Sequence, residues 1–326
     1  MNEYKILIIS CFKNKILFYF LLNLCCFDIF GQDSLQILTE KKEKYQQENY
    51  SKTTDVSKIS KKNFHLALAG AGIAYGAGLY GLHTLWYKNN AQTSFKFFND
   101  NQEWLQMDKL GHFFTSFQLS RLGRDALQKS PLSEKKALFY GSLVGAFLLT
   151  PIEIFDGFSA GYGASWGDEI ANLSGSAMVL GQYLLWNELR IKPKFSFHIT
   201  DFAALRPNTL GKNFTEQLLK DYNGQTYWLS VDMDKFLPNR KFPKWLNIAV
   251  GYGAENMVFG QNQENLVAGF QNYRQFFLAP DLDLSFLKPK KRWAKISLYI
   301  LESIHLPSPA LEYTSKGNLN WHWIYF

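Results

Sequence analysis

The segment MDKLGHFFTSFQLS, residues 107–120, opens with three ionisable side chains and then becomes apolar and aromatic. Asp108 and His112 are four residues apart, so an α-helix places them on one face, with Lys109 beside them. Ionisable groups in apolar surroundings need partners, because an unpaired buried charge is costly. We therefore predict a helix from about residue 106 to residue 128 whose first turns meet polar groups from other helices.

Two later segments supply polar groups at the spacing of a helical turn. Glu153 and Asp156 end an apolar helix that is predicted from about residue 134 onward. Asp168 and Asn172 begin a helix that is predicted from Ser165 to about residue 189. The S-x-x-D spacing at its start is typical of a helix N-cap. If the three helices alternate in direction through short loops, all of these groups meet at one end of a bundle.

Such a cluster has three alternative roles. It is suited to hold a divalent metal, to act as an acid–base site centred on His112, or to form a polar network that fixes the helices. We favour the structural network, because acids in the first turn of a helix also stabilise the helix dipole without a further role. The chain contains no HExxH, G-x-S-x-G or P-loop motif that would favour catalysis.

These residues leave open whether the protein is an enzyme, and we favour no cofactor over a divalent metal. The candidate catalytic residues are His112, Asp108, Lys109, Glu153, Asp156, Asp168 and Asn172. The candidate metal ligands are Asp108, His112, Glu153 and Asp168.

The N-terminus has the pattern of an export signal. Lys13 and Lys15 precede ILFYFLLNLCCF, an apolar run of the length found in signal peptides. The small residue Gly31 then precedes Gln32, and we predict cleavage between them; an uncleaved anchor is the alternative.

The three cysteines all lie in this N-terminal segment, at positions 11, 25 and 26. The predicted mature chain, after cleavage, therefore has no thiol nucleophile, disulfide or cysteine-bound zinc. Acylation of Cys25 or Cys26 is a less favoured alternative, because Asn23 and Leu24 stand where small residues normally precede a lipid-modified cysteine.

The distribution of polar, apolar and alternating residues along the chain predicts four segments and an α+β fold. Residues 1–31 are the signal peptide, 32–62 a polar linker, 63–192 a helical bundle and 193–326 a β-rich region. The bundle is predicted to have four helices and to associate with a membrane, and the β-rich region to be antiparallel. The first helix, residues 64–87, contains GAGLYG; no strand precedes this match to GxGxxG, so a phosphate-binding loop is not expected. Pro151 predicts a kink in the third helix.

The β-rich region shows alternation in RQFFLAPDLDLSF, residues 274–286. Phe276, Leu278 and Leu282 share one parity, whereas Asp281 and Asp283 share the other, which predicts a half-buried strand. Pro280 indicates an edge or a bulge in this strand. Further strands are predicted near residues 195–200, 226–233, 246–253 and 320–326, and an amphipathic helix over residues 291–304.

Three motifs give the helical region a family resemblance. D-K-x-x-H at residues 108–112, E-x-x-D-G at 153–157 and G-D-x-x-A-N-x-x-G at 167–175 occur in order. Residues 65–190 resemble the YfiM-like family of predicted periplasmic or envelope proteins and, more distantly, VanZ-like membrane proteins. The resemblance implies a location and a fold, and no reaction.

Composition and charge are compatible with a location at a membrane. The chain is 17% aromatic with a formal charge of +7, and its basic residues are spread without a nucleic-acid stripe. We expect membrane lipid as a partner, an envelope protein as a second partner, and no nucleic acid. The expected location is the cell envelope, facing the periplasm at the outer membrane or on the periplasmic side; an inner-membrane multi-pass protein is the alternative.

Two functions are compatible with these observations. The favoured function is that of an exported, membrane-associated envelope protein with a structural or binding role, built around the polar cluster. The alternative is an envelope hydrolase or transferase that acts on a lipid-linked or phosphorylated substrate, with carboxylates that either hold a metal or position the substrate.

Overall fold

The computed structural model describes residues 59–88, 91–237 and 242–326, which form a helical region followed by an antiparallel sheet. The predicted signal peptide and most of the polar linker lie outside the described residues. The helical region contains α1 (Lys61–Leu82), α2 (Met107–Gln128), α3 (Glu134–Ser142), α4 (Val144–Gly157) and α5 (Trp166–Trp186). A π-helical turn, His83–Tyr87, continues α1.

The third predicted helix is divided in two at Leu143, whereas α4 continues through Pro151. The division at Leu143 leaves the first N–H groups of α4 without partners in their own helix. Ser120 Oγ accepts from the N–H of Gly145 at 2.9 Å, and Ser176 Oγ accepts from that of Ala146 at 2.9 Å. Serines of α2 and α5 therefore cap α4 and tie the three helices together.

Small residues let these helices approach closely. A side chain at Gly175 of α5 would place its Cβ 2.3 Å from the carbonyl oxygen of Phe113 in α2. Ser116 of α2 bonds across the same interface to Ser176, with 2.9 Å between the hydroxyl oxygens.

The predicted N-cap of α5 is confirmed, since Ser165 Oγ accepts from the N–H of Asp168. The helices α2 to α5 pack on one another, whereas α1 has no buried residue in the described structure; a four-helix bundle stays a prediction.

The sheet is a six-stranded antiparallel meander in the order β1-β2-β3-β4-β5-β6. Its strands are β1 (Ile191–Phe197), β2 (Gln225–Val231), β3 (Leu246–Glu255), β4 (Tyr273–Leu282), β5 (Ser308–Thr314) and β6 (Leu319–Tyr325). Strand β5 was not predicted from the sequence, because its seven residues include Pro309 and show no clean alternation of apolar side chains.

Short helices connect the strands. They are α6 (Phe202–Leu205), α7 (Pro207–Leu210), α8 (Phe214–Lys220), α9 (Met233–Phe236), α10 (Asn262–Val267) and α11 (Arg292–Leu301), with a 3₁₀ turn, Tyr222–Gly224, before β2. The last helix confirms the amphipathic helix predicted near residues 291–304. The division of the chain at residue 193 stays a prediction, although β1 begins only two residues earlier.

Alternation along β4 is confirmed, but the polar parity is the buried one. Asp281 is 3% exposed, whereas Phe276 is 44% and Leu278 is 50% exposed. The inner face, defined by the buried parity of β1 to β5, carries Lys194, Ser230, Asp281 and Glu312 among small and aromatic residues. The outer face carries Leu229, Ile248, Val250, Phe276, Leu278 and Tyr313. The sheet therefore has the opposite polarity from that of a sheet with one face in water.

Pro280 is accommodated because β5 pairs with β4 only from Gln275 to Leu278. Beyond Leu278, the described part of β4 pairs on one side alone, with β3. The missing N–H of Pro280 therefore costs no ladder hydrogen bond, as expected for an edge position.

The contact at Gly175 gives a test of the helical packing. We expect Gly175→Ala to lower the thermal midpoint, because overpacking a tight interface costs about 1–3 kcal/mol. The matched control is Gly181→Ala in the same helix, where an added Cβ has no neighbour within 4 Å. That control should be neutral or stabilising by up to about 1 kcal/mol through helix propensity. Equal midpoints for the two variants would contradict the described packing.

Candidate functional site

The start of α2 is held in place by an unusual turn. In the 3₁₀ turn Glu103–Gln106, the residues Trp104, Leu105 and Gln106 have φ values of 48°, 50° and 68°. Three successive non-glycine residues with positive φ are strained and need external support.

The sheet region supplies that support. The Tyr252 hydroxyl donates to the carbonyl oxygen of Leu105, and Arg274 Nη2 donates to Gln106 Oε1 at 2.7 Å. The backbone N–H of Trp104 donates to the carbonyl oxygen of Gly260 at 2.8 Å. Contacts from the β-rich region therefore fix the direction in which α2 leaves the turn.

Lys109 lies at the centre of the ion pairs in the site. Its Nζ atom is 2.7 Å from Asp100 Oδ2, 2.7 Å from Asp168 Oδ1 and 3.3 Å from Asp108 Oδ2. These contacts join the loop before the 3₁₀ turn, the first turn of α2 and the first turn of α5. The surrounding carboxylates outweigh the effect of burial and raise the pKa of Lys109, which stays protonated.

His112 faces a ring of carboxylates on one side and an amide on the other. Its Nε2 atom is 3.8 Å from Glu153 Oε1 and 3.9 Å from both Asp108 Oδ1 and Asp168 Oδ1. Its Nδ1 atom is 3.1 Å from Asn172 Oδ1. Burial alone would lower the pKa of His112, but the three carboxylates reverse that effect and raise it to about 9.

Glu153 projects from α4 into this group and is 6% exposed. Its Oε2 atom accepts from the N–H of Ser165 at 3.0 Å, whereas Oε1 has no hydrogen-bond partner among the described residues. Burial raises the pKa of Glu153 to about 8, because the charged form loses hydration. Burial likewise raises the pKa of Asp168 to about 7.

Six of the seven predicted site residues are brought together by the structure: Asp108, Lys109, His112, Glu153, Asp168 and Asn172. The seventh, Asp156, lies one helical turn beyond Glu153 and instead accepts a hydrogen bond from the Tyr87 hydroxyl at 2.9 Å. Burial raises the pKa of Asp156 to about 7.

Sequence reasoning missed two members of the site. Asp100 binds Lys109 from the loop before α2, and the Tyr222 hydroxyl donates to Asp108 Oδ1 at 2.8 Å. Neither residue has a helical spacing to the motif, and Tyr222 is 114 residues away from Asp108. No pattern in the sequence marks them, since both contacts arise from the fold.

The arrangement has more acidic than basic groups. Four carboxyl groups, those of Asp100, Asp108, Glu153 and Asp168, surround one ammonium and one imidazole group. The ligand atoms of Asp108, His112 and Asp168 lie within 4.8 Å of one another, so these residues could hold a metal ion. The excess of negative charge favours protons or a cation at this site.

A second polar group lies on the inner face of the sheet. His305 Nδ1 is 3.0 Å from Asp281 Oδ1, and His305 Nε2 is 3.2 Å from Ser308 Oγ. Asp281 also binds Lys194 Nζ at 2.6 Å and accepts from Ser230 Oγ at 2.6 Å. Both carboxylate oxygens of Asp281 are bonded to these partners, and His305 is 1% exposed. We therefore assign this second polar group a structural role in the packing of the inner face.

Comparison with known proteins locates the site within a family segment. Residues 96–185 match the model of the family described as "Predicted periplasmic lipoprotein (DUF2279)". The segment contains Asp100 and every site residue of α2, α4 and α5, and the match supports export to the cell envelope and membrane association on the periplasmic side. The finer YfiM-like and VanZ-like resemblance stays a prediction. No curated protein and no solved structure gives a significant match to the chain.

The raised pKa values predict how stability depends on pH. Folded His112 and Glu153 titrate near 9 and 8, above their ordinary values of 6.5 and 4.5. In these intervals the folded protein binds more protons than the unfolded chain, so the free energy of unfolding falls as the pH rises from 6 to 9. Thermal unfolding in chelator-treated buffer at several pH values measures this slope.

The Glu153→Gln variant should show a shallower decrease, because it removes one titrating group and one carboxylate beside His112. The control is Glu264→Gln at an exposed position of α10, which should keep the wild-type slope. A wild-type slope in Glu153→Gln would contradict the raised pKa of Glu153.

Proposed function

We propose that this protein is an exported, membrane-associated protein of the cell envelope with a structural or binding role, and that the outer face of its sheet contacts lipid. The observation that carries the proposal is the inverted polarity of the sheet. Val250 and Leu278 pair across β3 and β4 and are each 50% exposed on the outer face. Water disfavours such a continuous apolar face, whereas lipid tails do not.

The inner face supports the same conclusion, because its charged residues Lys194, Asp281 and Glu312 have partners within the protein. Lys194 pairs with Asp281, and Gln275 Nε2 donates to Glu312 Oε1 at 2.8 Å. His322 Nε2 is 2.7 Å from Glu312 Oε2. A sheet that turns its polar side chains inward and pairs them there is suited to apolar surroundings outside.

Helix α11 adds an amphipathic element between β4 and β5. Trp293, Ile296 and Ile300 share one side of the helix and are 67%, 53% and 56% exposed. The preceding residues are basic: Lys288, Lys290, Lys291 and Arg292, with Lys295 following. An exposed apolar stripe flanked by lysine and arginine is typical of helices that lie at the surface of a membrane with anionic lipids.

One helical stretch of the described chain, Glu134–Gly157, is long and apolar enough to cross a membrane, judged by length and composition alone. Core helices of soluble proteins meet the same criterion, so this stretch adds little weight. The proposal rests on the sheet and on α11.

The binding role is proposed for the polar cluster at the start of α2. Its residues lie in the segment that matches the family model, and it combines an excess of carboxylates with a buried, unpaired oxygen of Glu153. A network built only to hold helices together would gain from full pairing of its buried groups. The excess of carboxylates and the unpaired oxygen of Glu153 therefore favour a site that receives a ligand.

Cell fractionation tests the membrane contact. The full chain with Cys25→Ala and Cys26→Ala has no cysteine that could be acylated there, so any retention must come from the protein itself. We expect this chain to remain in membranes after alkaline carbonate extraction. Adding Val250→Asp and Leu278→Asp should release it, with a fall in retention of tenfold or more, because each carboxylate in lipid costs about 2 kcal/mol or more.

The matched control adds Asn262→Asp and Gln263→Asp, which introduce the same charge at exposed positions of α10. This control should stay in the membrane fraction. Recovery of the parent chain in the soluble fraction would contradict membrane association. Retention of the Val250→Asp, Leu278→Asp variant would show that the outer face is not what holds the protein in the membrane.

A hydrolase or transferase acting on a lipid-linked or phosphorylated substrate is the second candidate. It is favoured by the position of His112, whose Nε2 atom has three carboxylates within 3.9 Å and could exchange protons with a bound substrate. Profiling of envelope lipids and lipid-linked phosphates by mass spectrometry would compare wild-type cells with cells that carry His112→Ala. We expect an accumulated substrate in the variant. A wild-type profile at equal protein level would remove this candidate.

A further inference from the structure

We propose that Asp108, His112, Glu153 and Asp168 form a binding site for one divalent transition-metal ion such as Zn²⁺ or Mn²⁺. One imidazole and three carboxylates suit these ions, whose ligands in proteins are nitrogen and oxygen atoms. The proposal goes beyond the proposed membrane contact and does not depend on it, since the ligands come from α2, α4 and α5.

The first argument is the geometry around His112. Its Nε2 atom is 3.8–3.9 Å from one oxygen of each of the three carboxylates. These distances are too long for hydrogen bonds. Ligand atoms around a tetrahedral zinc ion are about 3.4 Å apart, as follows from bond lengths of about 2.0–2.2 Å. The distances from Nε2 to the three oxygens therefore exceed this spacing by about 0.5 Å, and side-chain rotations would have to bring the oxygens closer to one another as well.

The second argument is the orientation of the histidine ring. His112 Nδ1 is 3.1 Å from the amide oxygen of Asn172, a contact in which the ring nitrogen donates. A proton held at Nδ1 makes Nε2, which faces the carboxylates, the ring nitrogen that would bind a metal ion once the ion displaces the Nε2 proton. Histidines that bind metals usually donate their other ring N–H to a carbonyl or carboxylate in this way. Asn172 is fully buried and would keep the ring in place.

The third argument is the free oxygen of Glu153. This residue is 6% exposed, its Oε2 atom is bonded to the Ser165 N–H, and its Oε1 atom has no hydrogen-bond partner in the described structure. The free oxygen is also the one that faces His112 Nε2. A buried carboxyl oxygen without a partner costs free energy, and coordination of the deprotonated group to a cation would remove that cost.

Lys109 is compatible with the proposed ion. Its ammonium group lies 2.7 Å from Asp168 Oδ1, which is one of the proposed ligand atoms, and 2.7 Å from Asp100 Oδ2. When Asp168 turns toward a metal ion, Lys109 keeps its pairs with Asp100 and Asp108. Two positive charges from the ion then offset the excess of carboxylates that Lys109 alone does not neutralise.

Metal titration of the purified full-length protein in detergent tests the proposal. After removal of metals with a chelator, we expect one equivalent of Zn²⁺ or Mn²⁺ to bind, measured by calorimetry and by elemental analysis. Co²⁺ should give visible absorption bands that report a nitrogen- and oxygen-bound ion. His112→Ala and Glu153→Gln should each weaken binding by tenfold or more, whereas a metal-independent network would show no saturable binding in any variant.

The matched control is Asp156→Asn, which removes the neighbouring carboxyl group of α4 that is bonded to Tyr87 instead. It should bind the metal as the wild type does. Circular dichroism of every variant verifies folding, and Glu153→Gln keeps the size of the side chain if His112→Ala fails to fold. Absence of saturable binding to the wild type, or an equal loss in Asp156→Asn, would overturn the proposal. Neither result would affect the fractionation test of the outer face.

Discussion

The ion pairs of Lys109 are the interaction on which the helical region depends. Its ammonium group joins Asp100 in the preceding loop to Asp168 at the start of α5, and both contacts are 2.7 Å long. The surrounding helices are apolar, so each of these charges would be costly to bury alone. Since each charge requires the others, the start of α2 and the start of α5 have to meet at one point. The end of α4 joins them there because Glu153 faces His112. The serine contacts among α2, α4 and α5 then hold the same three helices further along their length.

The two regions of the chain are connected through the turn that precedes α2. Its left-handed residues are stabilised by Tyr252 and Arg274 of the sheet and by the backbone of Gly260. Tyr222, which precedes β2, reaches the cluster directly through Asp108. The β-rich region therefore contributes to the polar cluster in two ways, by fixing the axis of α2 and by donating a hydrogen bond to one of its carboxylates. This explains why a site within the matched family segment is supported by residues that lie outside that segment.

The sheet, like the helical region, pairs its charged groups inside the protein. Its polar face is therefore buried and its apolar face is exposed. Its charged groups are gathered on the inner face and paired there, as Lys194 is with Asp281, while Val250 and Leu278 remain outside. In both regions ion pairs are gathered inside the protein, and apolar side chains are left on the surface. Such a distribution suits a protein that works beside lipid, where polar groups gain nothing from facing outward.

The sequence by itself determined the local structure and the identity of most of the cluster. Helical spacing identified Asp108 and His112 as one face, S-x-x-D identified the cap at Ser165, and period-2 alternation identified β4, because these patterns reflect backbone geometry over a few residues. Tertiary structure alone decided the rest. It selected the polar face of β4 for burial. Alternation in the sequence separates the side chains into two faces, but it does not identify the face that is buried. Tertiary structure also broke the third helix at Leu143, where serines from α2 and α5 replace the lost backbone partners. Asp100 and Tyr222 entered the cluster for the same reason: their contacts join segments whose distance in the chain carries no local signal.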